Sequence, residues 1–194
     1  MKKEPGLEEA AFATARAWGQ WLGKNHAVST GVWVRIARKD SGIRSVSYEE
    51  AVEAALCHGW IDGQKRGGDA GAWLQKFTPR GPRSIWSQVN REKAERLIQE
   101  GRMAPAGLEA VKKARADGRW EAAYHSQSAA SVPADLQAAL DRDPSAREFF
   151  GTLKSANRYA ILWRLETAKK PETRARRLET LVQMLREKRT IHPQ

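Results

Sequence analysis

The first half of the chain contains short stretches with strand-like alternation between stretches with helical spacing. Residues 31–38 and 72–78 have the alternating side-chain pattern typical of strands. Residues 59–66, GWIDGQKR, predict a further short strand or a turn, because an Asp-Gly pair favours a tight turn. Glycines at 67, 68 and 71 separate two of these runs, as a hairpin loop requires. We therefore predict a small antiparallel sheet of about three strands.

Helical spacing precedes and follows this sheet. Apolar residues three or four positions apart predict a helix over residues 8–23. SYEE at 47–50 has the composition of a capping box, so a helix begins there, and Gly59 ends it. From residue 84 onwards the pattern is helical throughout, and successive helices begin at Pro105, Pro133, Pro144, Ser155 and Pro171. The fold class is therefore α+β, with a C-terminal bundle of short helices.

The pattern also divides the chain into two parts. Residues 1–125 form a predicted N-terminal α+β unit, which contains the WIDG and FTPR/SxWSxxN motifs. A short, polar, Ser-rich stretch supports a linker over 126–132, and residues 133–194 form the predicted C-terminal helical module.

Composition restricts where such a protein works. A single cysteine, Cys57, rules out an intramolecular disulfide, which agrees with a reducing cytoplasm, and we expect a cytoplasmic protein. The N-terminus lacks the apolar core of a signal peptide, and no stretch approaches about 18 uncharged apolar residues, so no membrane insertion is expected. Eight Trp against four Phe is unusual, because Trp is large and carries an N–H group that needs a partner when buried.

The formal net charge of +11 is concentrated near the C-terminus. Residues 154–194 carry eleven basic and four acidic side chains, a field that favours phosphates, nucleic acid or anionic lipid. Arginines in the first turns of the last helix oppose its dipole, so either acidic groups of the fold or an external anion must compensate them. Recognised nucleic-acid-binding signatures are absent, so weak, non-specific binding is the most this face implies. The predicted basic anion-binding face comprises Lys169, Lys170, Arg174, Arg176 and Arg177.

Two neighbouring motifs have the composition of a ligand site. Aromatic walls with a few converging polar groups are typical of small-molecule pockets, and an arginine can bind a carboxylate or phosphate with two hydrogen bonds. Ser84 and Ser87 lie near a predicted helix start, where free backbone N–H groups and the positive end of the helix dipole favour an anion. A purely structural interpretation stays open, in which Ser84 or Ser87 caps the helix, Asp62 pairs with Arg80 and the Trp side chains fill the core. The predicted ligand-binding residues are Trp60, Asp62, Arg80, Arg83, Ser84, Trp86 and Asn90.

Asn25 and His26 are secondary candidates, either as turn residues or as ligand contacts. If the chain were an enzyme without a recognisable signature, His26 and Asp62 would be its acid–base candidates. The histidines and the single cysteine have no metal-site spacing, and no Gly-rich nucleotide motif occurs. We therefore expect no metal, no cofactor and no catalytic residue.

Several ordered motifs carry a family resemblance: WGQWL at 18–22, SYEEAVEAALCHGWIDG at 47–63, SIWSQVN at 84–90, DGRWEAAY at 117–124 and PETRARRL at 171–178. With these, the chain resembles the bacterial YdeI/OmpD-associated, or bacteriocin-protection, proteins. The resemblance implies tolerance of cationic antimicrobial peptides, a stress response, and an OmpD-associated-like C-terminal module. A protein at +11 repels a cationic peptide at long range, so we expect an indirect route to protection.

Overall fold

The computed structural model describes residues 6–125 and 129–193, so part of the predicted linker, residues 126–128, lies outside the described residues. The chain divides into two compact units. One runs up to Trp86 and includes Asn90–Glu121, and the other combines Ser87–Val89 with the chain from Ala122 onwards.

The first unit contains a four-stranded mixed sheet. Its strands are β1 (Glu9–Ala11), β2 (Val32–Ala37), β3 (Trp60–Gly67) and β4 (Ala72–Pro79), in the order β1-β2-β4-β3. β1 is parallel to β2, and the other pairs are antiparallel. The α+β class is confirmed, but the predicted sheet of about three antiparallel strands was one strand short. β1 has only three residues, too few to show an alternating pattern, and it occupies the start of the stretch predicted as a helix.

The Asp-Gly pair of the WIDG motif lies inside β3 rather than at a tight turn. The register between β3 and β4 shifts between Asp62 and Lys65, which marks a β-bulge. Buried Gln75 donates to the carbonyl oxygens of Gly63 at 2.9 Å and Gln64 at 3.3 Å, so its side chain satisfies backbone groups at the bulge. The turn lies instead between β3 and β4, where the glycines at 67, 68 and 71 predicted a hairpin loop.

Two helices pack with this sheet, α1 (Ala15–Asn25) and α2 (Tyr48–Cys57). The predicted capping box of α2 is confirmed: Glu50 N donates to Ser47 Oγ at 3.3 Å, and Ser47 N donates to Glu50 Oε2 at 2.9 Å. Gly59 ends the helix with a φ of 72°, a left-handed conformation that glycine adopts without strain.

Trp and Phe side chains form a large part of the core of the first unit. Trp18 is fully buried, and its ring centroid lies 5.5 Å from Phe77 and 6.4 Å from Trp60. Its indole N–H donates to Ala51 O at 3.0 Å, which joins α1 to α2. Much of the unusual Trp content of the chain therefore serves packing.

Two further helices follow, α3 (Gln88–Gln99) and α4 (Pro105–Ala116). α3 begins at Gln88, later than residue 84, where the helical pattern was predicted to start, and Val89 in its first turn is exposed. α4 begins at the predicted proline and lies against the end of α2, where Ala104 N donates to Cys57 O at 3.0 Å.

The second unit is helical, with α5 (Ala134–Arg142), α6 (Pro144–Thr152), α7 (Ser155–Glu166) and α8 (Pro171–Arg186). These four helices begin at or next to the predicted residues. Buried Asn157 holds the segment after α8, since its Oδ1 accepts from Ile191 N at 3.0 Å and from His192 N at 2.8 Å. Within the described ranges, no helix has the length and apolarity needed to cross a membrane. The core consists mainly of Leu136, Leu140, Phe150, Ile161, Leu165, Leu181 and Leu185.

Candidate functional site

The two residues predicted from the WIDG motif have structural partners. Trp60 is 1% exposed, and its indole N–H donates to His26 O at 3.2 Å. Asp62 is half-buried, and its Oδ2 accepts a hydrogen bond from the Tyr48 hydroxyl at 2.7 Å. Both side chains therefore tie β3 to neighbouring elements.

The segment after β4 forms a turn closed by Ser84. Gly81 N donates to Ser84 Oγ at 3.0 Å, and Ser84 N donates to Gly81 O at 3.0 Å. α3 begins at Gln88, so Ser84 is not its N-cap. Arg83 is exposed at the tip of this turn, and Asn90 lies in the first turn of α3.

Arg80 and Trp86 form one end of a stack of cations and indole rings. The guanidinium of Arg80 lies 3.6 Å from the ring centroid of Trp86, and its Nη1 donates to Ile85 O at 3.2 Å. Trp86 meets the edge of Trp120 at 4.8 Å, and Arg115 lies 5.0 Å from the Trp120 ring. Both indoles are almost fully buried, so this stack holds the plane of the Arg80 guanidinium in one orientation.

Arg119 is held beside this stack and is only 7% exposed. Its Nε donates to both carboxylate oxygens of Asp117 at 2.8 Å, and its Nη1 donates to Ser84 O at 2.8 Å. Arg119 thus joins the turn at residues 81–84 to the segment after α4. The sequence prediction missed it, although DGRW at 117–120 places an acidic residue two positions before the arginine.

A cavity of about 180 Å³ opens where these parts meet. Three cationic side chains line it, and none of its lining residues is acidic. Of the seven predicted ligand-binding residues only Arg80 lines the cavity, while Lys113 and Arg119 are additions that the structure supplies. The volume is below the roughly 300 Å³ of ordinary small-molecule pockets, so it suits one small polar group. The lining residues are Arg80, Gly81, Pro82, Ala110, Lys113 and Arg119.

The secondary candidates fold back onto α1. Asn25 Nδ2 donates to Trp21 O at 2.8 Å, and His26 Nδ1 lies 2.9 Å from Leu22 O. The ring centroid of His26 is 5.6 Å from that of His58. Asn25 and His26 therefore lie at the C-terminal end of α1, where they contact its carbonyl groups.

The predicted basic face is partly used by the fold itself. Arg174 donates two hydrogen bonds to the carboxylate of Asp135, at 2.7 and 2.9 Å, and a third to Leu165 O at 2.6 Å. Arg177 donates to Arg164 O at 2.6 Å. These two carbonyls belong to the last turn of α7, where carbonyl groups have no intrahelical partner. The arginines in the first turns of α8 therefore offset the negative end of α7, and Asp135 supplies the acidic compensation. Lys169, Lys170 and Arg176 remain exposed.

A second polar cluster was not predicted from the sequence. Glu166 Oε1 accepts from the backbone N of His125 at 2.9 Å and also contacts the ring Nδ1 of His125. The Tyr159 hydroxyl donates to His125 O at 3.0 Å, and burial raises the pKa of that hydroxyl. These contacts hold His125 against α7, and the side chain of Gln88 lies 3.0 Å from its Nε2.

Fold and cavity together describe an α+β protein with a small cationic cavity and a separate helical unit. Residues 10–110, just over half of the chain, match the family described as a domain of unknown function (DUF8412), and the chain belongs to that family. Residues 129–188 match the family described as Bacteriocin-protection, YdeI or OmpD-Associated. This confirms the predicted resemblance over the C-terminal region and supports a bacteriocin-protection-like function at the level of the family. No curated protein and no solved structure matches the chain.

Proposed function

We propose that the protein is a non-catalytic, cytoplasmic factor in antimicrobial-peptide tolerance that binds a small oxyanion in the cavity at Arg80, Lys113 and Arg119. The observation that carries the proposal is the lining of this cavity, which has three cationic side chains and no carboxylate. A carboxylate or phosphate group is the chemistry that planar guanidinium groups recognise best.

The orientation of the two arginines supports binding. Arg80 is stacked on Trp86 and Arg119 is anchored by Asp117 and Ser84 O, so neither guanidinium has to be ordered when an anion arrives. Pre-organised groups lose little conformational entropy on binding. A guanidinium also has five N–H donors, so Arg119 keeps donors beyond those used in its structural contacts.

Lys113 supplies the adjustable part of the site. Its ammonium lies 3.6 Å from Glu109, and both side chains are more than half exposed. An exposed ion pair of this kind contributes little stability, so Lys113 can turn towards an anion at low cost.

The charge of the whole chain favours an indirect role in tolerance. A protein at +11 repels cationic peptides, whereas an intracellular anion is attracted. The only cysteine, Cys57, is buried and reduced, which is compatible with the cytoplasm.

Calorimetric titration with inorganic phosphate and with acetate tests the proposal. We expect one-site binding by the wild type, loss of binding in Arg80→Ala, and binding weakened roughly three- to fivefold in Lys113→Gln. Lys112→Gln is the matched control, because it removes the same charge from the neighbouring, exposed position of the same helix and does not line the cavity. Absence of heat with the wild type, or equal weakening in both lysine variants, would refute the anion site.

A further inference from the structure

A larger groove lies in the helical unit, along α7 and α8. Its volume is about 490 Å³, within the range of ordinary small-molecule pockets. One part of its wall is apolar and another part is cationic, and no acidic residue lines it. The lining residues are Trp163, Arg164, Thr167, Arg176, Arg177, Thr180, Leu181, Met184 and Ile191.

The apolar wall comes from both helices and from the segment after α8. Trp163, Met184 and Ile191 are half-buried, so each keeps part of its apolar surface exposed. Ile191 is held in place because its backbone N donates to the buried Asn157 Oδ1 at 3.0 Å. This wall can cover an alkyl chain, and removing that chain from water is favourable in free energy.

The cationic part of the groove is held by backbone contacts. Arg164 Nη1 donates to Ala160 O at 3.1 Å, and Arg177 Nη1 donates to Arg164 O at 2.6 Å. Arg176 is exposed beside them. Among the described residues, no carboxylate lies within ion-pair distance of these three arginines. Because guanidinium groups have five donors each, donors remain for an anionic group.

The hydroxyl protons of Thr167 and Thr180 are not available to bind such an anion. The Thr167 hydroxyl donates to Trp163 O at 2.7 Å, and the Thr180 hydroxyl donates to Arg176 O at 2.8 Å. Both hydroxyl protons are therefore directed at helix carbonyls, and the donors available to a ligand are those of the arginines.

We propose that this groove binds a free single-chain alkyl carboxylate, with its chain against Trp163 and Met184 and its carboxylate at Arg176 and Arg177. Charge complementarity selects this occupant, since the groove joins an apolar wall to three cations without an acidic residue. The site is separate from the cavity at Arg80 and does not depend on the function proposed for that cavity.

Titration with a series of alkyl carboxylates below their micellar concentrations tests the chemistry. We expect one molecule to bind per chain, with affinity rising roughly fourfold for each added methylene group from hexanoate to decanoate. Decyltrimethylammonium carries the same chain with the opposite charge, and it should bind at least tenfold more weakly. The indole N–H resonance of Trp163, assigned with Trp163→Phe, should shift on titration with decanoate.

Variants of exposed residues test the location without disturbing the core. Arg176→Gln should weaken decanoate binding roughly three- to fivefold, and Thr180→Trp should abolish it by filling the groove. Arg142→Gln is the matched control, since Arg142 is an exposed arginine on α5 that lies outside the groove. Circular dichroism spectra of all variants check that they fold.

Three results would overturn the proposal. The first is equal binding of decanoate and decyltrimethylammonium, and the second is equal weakening by Arg176→Gln and Arg142→Gln. The third is lack of decanoate binding by the wild type. In that third case, dimerisation in sedimentation that Thr180→Trp abolishes would identify the groove as a contact between two copies. Binding to vesicles of anionic phospholipid would identify it as a membrane-surface contact.

Discussion

Gly107 lies where α4 meets the end of α2, and a side chain has no room there. A Cβ atom at this position would lie 2.3 Å from Cys57 O and 2.8 Å from Leu56 O, both of them backbone atoms. The close approach that glycine allows brings α4 against α2, and Ala110 and Lys113 of α4 line the cationic cavity.

We therefore expect Gly107→Ala to destabilise the protein by about 3 kcal/mol, because the two helices must move apart. Gly19→Ala is the matched control, since Gly19 lies within α1 with no atom within 4 Å of an added Cβ. That variant should be more stable by ~0.5–1 kcal/mol, the difference in helix propensity between the two residues. Urea unfolding of both variants measures the effect, and equal stabilities would contradict the close contact.

Asp135 gives the helical unit a dependence on pH. Its hydrogen bonds to Arg174 hold the pKa of the carboxyl group below its ordinary value. A carboxyl group whose pKa is lowered in the folded state adds stability at pH values above its unfolded pKa of about 3.9. That contribution is lost as the pH falls through the folded pKa.

Asp135→Asn should therefore be less stable than the wild type by about 1 kcal/mol at pH 7, a value reduced for the partial exposure of the pair. The difference should shrink as the pH falls below about 3.9 and through the lowered folded pKa of Asp135, because the wild-type carboxyl then becomes neutral as well. Asp141→Asn is the control, because its contact with Arg147 is 3.9 Å long and exposed. Thermal unfolding between pH 2.5 and 7 measures both variants, and a pH-independent difference would contradict this role of Asp135.

At the scale of elements, signals carried by adjacent residues predicted the structure well. The capping box of α2, the prolines that begin α4, α6 and α8, and the left-handed Gly59 all act within a few residues, so the sequence is sufficient to place them. β1 was missed because a three-residue strand is defined by its partner β2, not by its own pattern. For the Asp62–Gly63 pair the sequence left a strand and a turn open for the same reason, since the bulge there depends on pairing with β4.

The capping box gives a direct test of one such local signal. Ser47→Ala removes the acceptor of the Glu50 N–H group, and we expect a loss of about 1 kcal/mol in the free energy of unfolding. Two hydrogen bonds from Ser47, one from its backbone N and one from its hydroxyl, lower the pKa of Glu50. Ser47→Ala removes the hydroxyl bond, so we expect the pKa of Glu50 to rise in this variant. Glu49→Gln in the same turn keeps the box and serves as control. A Ser47→Ala protein as stable as the control would show that α2 is held by packing alone.

At the scale of the whole molecule, the candidate site could not be predicted completely because its residues are distant in sequence. Arg80 follows a strand, whereas Lys113 lies on α4 and Arg119 follows that helix. Composition identified Arg80 as a polar residue beside Trp86, but only the fold brings the other two cations to it. The same holds for the C-terminal charge, since the partners of Arg174 and Arg177 lie on other elements or turns.

Because arginines of the basic face bond to other parts of the fold, fewer cationic side chains are left to contact the phosphates of nucleic acid. Of the five residues of the predicted basic face, Arg174 and Arg177 are half-buried and bonded to the fold, so only Lys169, Lys170 and Arg176 are exposed enough to meet the phosphates of a duplex. Each phosphate neutralised contributes about −0.9 to the slope of log affinity against log salt concentration. We therefore expect weak, non-specific binding of duplex DNA with a slope of about −3 rather than about −4.5. Fluorescence anisotropy titrations at salt concentrations from about 20 to about 200 mM measure the slope. Lys169→Gln together with Lys170→Gln should reduce its magnitude by about 2, whereas Lys112→Gln in the other unit should leave it unchanged. A slope near −4.5 in the wild type would mean that Arg174 and Arg177 leave their structural partners to bind DNA.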